Sequence, residues 1–100
     1  MSISTLSGSV TIRERIAIPD GSIATVKLVA SDGEVLAATA FEVEGVPAEF
    51  DLYVDSEILK TAKKPQFWAM LRTDVGSWGT FELVSTERNS TEVLLTRIPE

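Results

Sequence analysis

Neither cysteine nor histidine occurs in the 100 residues. The first absence excludes disulfides, thiolate metal sites and thiol nucleophiles from this stretch of chain. The second removes the commonest general base and the commonest metal ligand. It also leaves the serines without an imidazole partner, which argues against acyl-transfer catalysis. No apolar run approaches the roughly 20 residues that cross a bilayer as a helix. The opening Met1-Ser2-Ile3-Ser4-Thr5-Leu6-Ser7 has no basic n-region and no long apolar h-region. As written, the chain therefore reads as cytoplasmic and without a signal peptide; if a leader has been trimmed away, its place is the cell envelope.

Basic residues are scarce as well. Nine Lys and Arg stand against fifteen Asp and Glu, a formal charge of −6. Such a balance repels phosphate backbones and argues against nucleic-acid binding; its plain use is solubility. The length suits a single domain over residues 1–100. It lies well above the roughly 40 residues below which staples become necessary.

What is present is β patterning punctuated by turns. Pro19-Asp20-Gly21, Asp32-Gly33, Gly45, Lys64-Pro65, Gly76 and Asn89-Ser90 break the chain at short intervals, the spacing of an all-β sandwich or barrel. A first strand is expected over 7–18 and a second over 22–30, the latter with Ala24, Val26, Leu28 and Ala30 on one face. Asp32-Gly33 then predicts a two-residue type I′ hairpin. A third strand, 34–43, turns Val35, Ala37, Phe41 and Val43 inward. The fourth is the cleanest: Val46, Ala48, Phe50, Leu52 and Val54 alternate with Pro47, Glu49, Asp51, Tyr53 and Asp55. One wet face is implied, and Pro47 near the start points to an edge position.

Residues 55–63 depart from the pattern. Asp55 can cap a helix, Glu57 falls in the first turn, and Lys60, Lys63 and Lys64 fall near its end, where cations suit the macrodipole. Pro65 stops it. The strand at 66–73 is apolar on both faces, Phe67, Ala69 and Leu71 against Trp68 and Met70, which predicts a central strand. Strands at 78–85, burying Phe81 and Leu83, and at 92–98 complete the set. The fold expected is a seven-stranded antiparallel immunoglobulin-like β-sandwich with one short helical crossover at about 55–63. Val26, Leu28, Phe50, Leu52, Leu71 and Phe81 should share one core.

Few residues stand out as candidates for a site. Arg13, Glu14 and Arg15 form a charged triplet between β-branched runs. Strand parity puts Glu14 with Val10, Ile12, Ile16 and Ile18, and the two arginines on the reverse. The triplet offers a patch for an acidic peptide or a terminal carboxylate, or alternatively protects a sheet edge in the first strand. Of the tryptophans, Trp68 reads as a core filler. Trp78, beside Gly76 and Gly79, reads as partly exposed and as a partner contact. Asp51, Asp55 and Glu57 lack the spacing of a calcium loop, and the wet face of a strand and a helix start account for them. Asn89-Ser90-Thr91 matches a glycosylation acceptor but reads more simply as a turn. Neither a metal nor a cofactor is expected.

Two segments carry a resemblance. Ile12-Arg13-Glu14-Arg15-Ile16-Ala17-Ile18-Pro19, followed by Ala24-Thr25-Val26-Lys27-Leu28, resembles the opening of YbaY-like lipoprotein domains, related to the YscW type III secretion lipoprotein chaperones. Val46-Pro47-Ala48-Glu49-Phe50-Asp51-Leu52, with Asp55 and Ile58 after it, is similar to the family's P-x-x-F-x-L element and the helical segment that follows. Trp68-Ala69-Met70-Leu71-Arg72 and Phe81 sit where the family has a strand and its partner. The resemblance implies a small β-sandwich, usually lipid-anchored through a cysteine after a signal peptide. For YscW-type members it implies a pilotin-like role, binding a partner segment and escorting an outer-membrane secretin. The expected function is thus a non-enzymatic protein-binding or chaperone-like module, capable of weak self-association. The alternative is a structural, envelope-associated lipoprotein domain whose leader and anchor lie outside these residues.

Overall fold

A computed structural model describes residues 2–86 and 91–99. The chain runs β1 (Ile3–Ile12), β2 (Ile23–Val29), β3 (Val35–Glu42), β4 (Ala48–Asp55), α1 (Ser56–Thr61), β5 (Gln66–Thr73), β6 (Gly76–Gly79), β7 (Val84–Ser85) and β8 (Thr91–Arg97). The expected turn at Asn89-Ser90 lies outside the described residues.

All-β architecture with one short helix is as the patterning predicts, but the immunoglobulin-like sandwich is not. Hydrogen-bonded neighbours follow one another in a single path, β3-β2-β5-β6-β8-β1-β4, with β7 joined to β5 beside β6. The two ends of that path, β3 and β4, come within 8 Å Cα to Cα, so the sheet curls into a nearly closed barrel. Nor is it wholly antiparallel. β1 and β8 run parallel, Gly8 opposite Thr91 and Ile12 opposite Leu95. The strands number eight among the described residues, not seven.

The interior is filled by one side of each strand. Ala24, Val26 and Leu28 from β2, Phe50, Leu52 and Val54 from β4, and Phe67, Ala69 and Leu71 from β5 are buried together with Val10, Val93 and Leu95. Phe50 and Phe67 meet edge to face, centroids 5.2 Å apart, an arrangement that the ring quadrupoles favour. Gly8 makes this packing possible. A Cβ there would run into the Thr91 carbonyl oxygen and lie 2.8 Å from Cζ of Phe50, so β1 leaves its inward position empty and the Phe50 ring occupies the space.

Three local expectations change. β1 starts and ends earlier than 7–18 and is paired on both sides, with β4 over Ile3 to Val10 and with β8 over Gly8 to Ile12. It is therefore not the free edge that its charges suggest, since Arg13, Glu14 and Arg15 fall just beyond its end. The strand at 78–85 is broken. Met70 pairs with Gly79 and Phe67 with Val84, so three steps along β5 face five along the partner. The two surplus residues loop outward, and Phe81 is 67% exposed instead of belonging to the core. At the β2–β3 turn Gly33 does take positive φ, +90°, but Asp32 does not, which rules out type I′. The Ala30 carbonyl accepts from the Gly33 N–H, and Ala30 N–H donates to Glu34, giving a type I turn closed by a left-handed glycine, the common three-residue hairpin loop.

Pro47 does precede an edge strand, for β4 ends the hydrogen-bonded path. Asp55 caps α1 as the sequence indicates, accepting from the Glu57 N–H at 2.8 Å. Leu59 packs on the core while Ile58 stays about half exposed.

Candidate functional site

The charged triplet and Trp78 meet at one place. Arg13 and Arg15 are exposed, while Glu14 turns back and accepts a hydrogen bond from the Trp78 indole at 2.8 Å. Glu14 keeps the inward parity of Val10 and Ile12 although β1 has ended. Trp78, from β6, has no exposed surface, contrary to its expected partial exposure. A buried indole N–H needs an acceptor, and Glu14 supplies it. The Arg97 guanidinium lies over the Trp78 ring, 5.3 Å from its centroid, and also donates to the Val75 carbonyl. Donation from Trp78 is the main reason why the Glu14 carboxyl is held below the usual carboxylate range, and the positive charge of Arg97 adds to it.

Trp68 lies on the other side of the wall. It was expected in the core, yet its ring sits half-buried on the outer face of β5, with Lys27 Nζ 4.9 Å from its centroid. Reading both faces of β5 as buried correctly makes it a central strand. No second layer of the described fold, however, covers Trp68 and Met70. In register, Lys27 faces Trp68, Thr25 faces Met70 and Ile23 faces Arg72. A hollow of about 200 Å³ opens between Ile23, Thr25, Met70 and Arg72. Sequence reasoning passed over this face because parity reports which residues lie together, not which side of the sheet has a neighbour.

Two larger grooves flank the barrel. One, about 590 Å³, lies between α1 and the β2–β3 hairpin, floored by Ala30, Leu36, Ile58 and Ala62 and rimmed by Asp32 and Lys63. The other, about 540 Å³, runs beside β1 and β4 past Ser7, Ser9, Glu49 and Asp51. Ser7 donates to Asp51. That exposed pair apart, neither groove is shown to set a hydroxyl against a carboxylate among the described residues. Among the described residues no cluster of three acidic side chains could hold a metal ion.

The model of the family described as type III secretion system lipoprotein chaperone, YscW, matches residues 1–93. The chain belongs to the YscW family. The YscW fold is shared with a solved structure, that of an alternative pilotin from the type II secretion system of Vibrio cholerae, which is 27% identical, superposes with a TM-score of 0.87, and covers 99% of this chain and 100% of that one. No curated protein sequence matches the chain. YscW proteins are described as lipoprotein chaperones of a type III secretion system. No helix among the described residues is long and apolar enough to cross a membrane.

Proposed function

We propose that this YscW-family chain is a non-enzymatic, pilotin-like chaperone that binds a segment of a secretin subunit and works at the cell envelope. The observation that carries the reading is coverage. The likeness to a pilotin extends over 99% of this chain and all of the other, so it spans the whole of this fold and not an isolated motif. The lack of histidine and cysteine supports binding over chemistry. Arg13 and Arg15, exposed on either side of Glu14, are the part of that patch that a partner reaches.

The test is to express the tagged chain together with secretin subunits of its own genome and to follow secretin assembly in a strain lacking it. Co-purification of a secretin subunit, with loss of outer-membrane multimers in the deletion strain, is the expected result. Normal multimers and no co-purification would overturn the escort role and leave the alternative, a structural domain of the envelope.

A further inference from the structure

A sheet that stops short of closure leaves backbone groups without partners along its last strands. Here those strands are β3, paired only with β2, and β4, paired only with β1. Exposed edges are usually blunted by charge or proline. β4 has both: Pro47 directly before it has no N–H to donate, and Glu49 and Asp51 are exposed along it. β3 has neither. Val35-Leu36-Ala37-Ala38-Thr39-Ala40-Phe41 is a run without charge or proline. Its one irregularity lies at the hairpin end, where Leu28 pairs with Ala37 and Val29 with Val35, so that Leu36 has no partner in β2. From Ala37 to Glu42 the ladder is regular. Among the described residues, the backbone of Val35 to Glu42 pairs with β2 alone.

The side chains of β3 define what fits beside it. Ala37, Thr39 and Phe41 stand opposite Leu28, Val26 and Ala24 and so face the interior. Those three partners have no exposed surface, whereas Ala37, Thr39 and Phe41 are only partly buried. The cover of the core therefore runs out across a single strand. Apolar side chains from one further strand would extend it over Ala37 and Phe41, which already pack on the core. On the outer side Ala38 and Ala40 are small and exposed, so they obstruct no neighbour.

Charge stands at the two ends of the run. Glu34 precedes it and Glu42 closes it, both exposed, about 27 Å apart at 3.4 Å per residue. A second copy paired antiparallel about Ala38 would set Glu34 opposite Glu42 at each end, and like charges directly opposite destabilise a pair. Lysine or arginine at those two places would stabilise it instead.

We propose that the free edge of β3 is a binding site that takes an extended segment of another protein as an added strand, apolar on its inward side and basic at both ends. Backbone bonds supply the affinity, and Glu34 and Glu42 select the charge of the occupant. The edge is defined by backbone and charge alone, so this site stands apart from the escort role.

The test uses the whole chain and labelled peptides of about nine residues, the length of an ordinary strand. They alternate valine and threonine; one has lysine at both ends and its twin has glutamate. A third keeps the lysines but is N-methylated throughout its interior, which removes the donors that a ladder needs. In fluorescence anisotropy at low salt the lysine peptide should bind at least about tenfold more tightly than its twin, and the N-methylated peptide should not bind. With the lysine peptide bound, hydrogen exchange should slow at least about tenfold at the β3 amides that β2 leaves unbonded, and β4 should be unchanged. Glu34→Lys with Glu42→Lys should reverse the preference between the twins. If that variant does not fold, Glu34→Gln with Glu42→Gln should abolish the preference. Equal binding of the twins, undiminished binding of the N-methylated peptide, or slowed exchange in β4 in place of β3 would each overturn the proposal. So would binding by none of the peptides, or a dimer in sedimentation velocity whose β3 amides are already slow without peptide.

Discussion

Glu14 lies two residues past the end of β1, where the chain bends, and still reaches inward. Val10 and Ile12 set the parity, and Glu14 continues it until its carboxylate meets the Trp78 indole. That a lone acid would fall on an apolar face was legible in the alternation. That tryptophan would be its partner was not, because the two are 64 residues apart and alternation carries no information about distant neighbours. The same blindness exchanged the environments of Trp68 and Trp78: alternation sets Trp68 on the face of β5 opposite Phe67, Ala69 and Leu71, but which face has a filled interior behind it is not identifiable from one strand. The bond has a pH signature. With its folded pKa depressed chiefly by the Trp78 N–H, then by its own backbone N–H and by Arg97, the Glu14 carboxylate stabilises the fold above the ordinary carboxylate pKa of about 4.3. That stabilisation is lost as pH falls through the lower folded value. Glu14→Gln should therefore be less stable than wild type near neutrality and converge with it in strong acid. Urea titrations across that range decide it, and a difference that stays constant with pH would show that the charge of Glu14 contributes nothing.

Among elements, those fixed by local chemistry were the legible ones. α1 has its cap, its acid and its base within one short stretch, Asp55, Glu57 and Lys60, and lies within one or two residues of its expected bounds. β4 keeps perfect alternation and an edge proline. β6 and β7 were misread as one strand because their break depends on β5, which they face with two surplus residues; Phe81 and Leu83 carry ordinary strand propensity and give no local sign of it. The helix cap yields a direct test. α1 is only six residues long and has no fully buried residue, so its first turn leans on the Asp55 carboxylate. Asp55→Ala should cost about 1 kcal/mol, the usual value of an N-cap, whereas Asp55→Asn or Asp55→Ser should cost much less. If thermal melts show alanine and asparagine equally tolerated, the cap is incidental and the β4 pairing alone positions the helix.

At the scale of the whole molecule, the decisive strand is the last. β1 and β4 form one group of paired strands, and β2, β3, β5, β6 and β7 another; β8 joins them, antiparallel to β6 and parallel to β1. Alternation has no direction, so a parallel pairing between the first and last strands leaves no trace in composition or period, and the antiparallel sandwich was the natural default. The arrangement has a consequence for cooperativity. Val93 and Leu95 of β8 are buried in the core shared by both groups, which also contains the Phe50–Phe67 contact between them. Leu95→Ala should therefore cost about 2–5 kcal/mol, the range for a buried leucine, and the loss should reach both groups. In native-state hydrogen exchange, the slowest amides of β4 and of β2 should fall by the same free energy, as for one cooperative unit. Loss confined to β1 and β4, with β2 protection unchanged, would mean that the two groups open separately and that β8 is a seam rather than a joint.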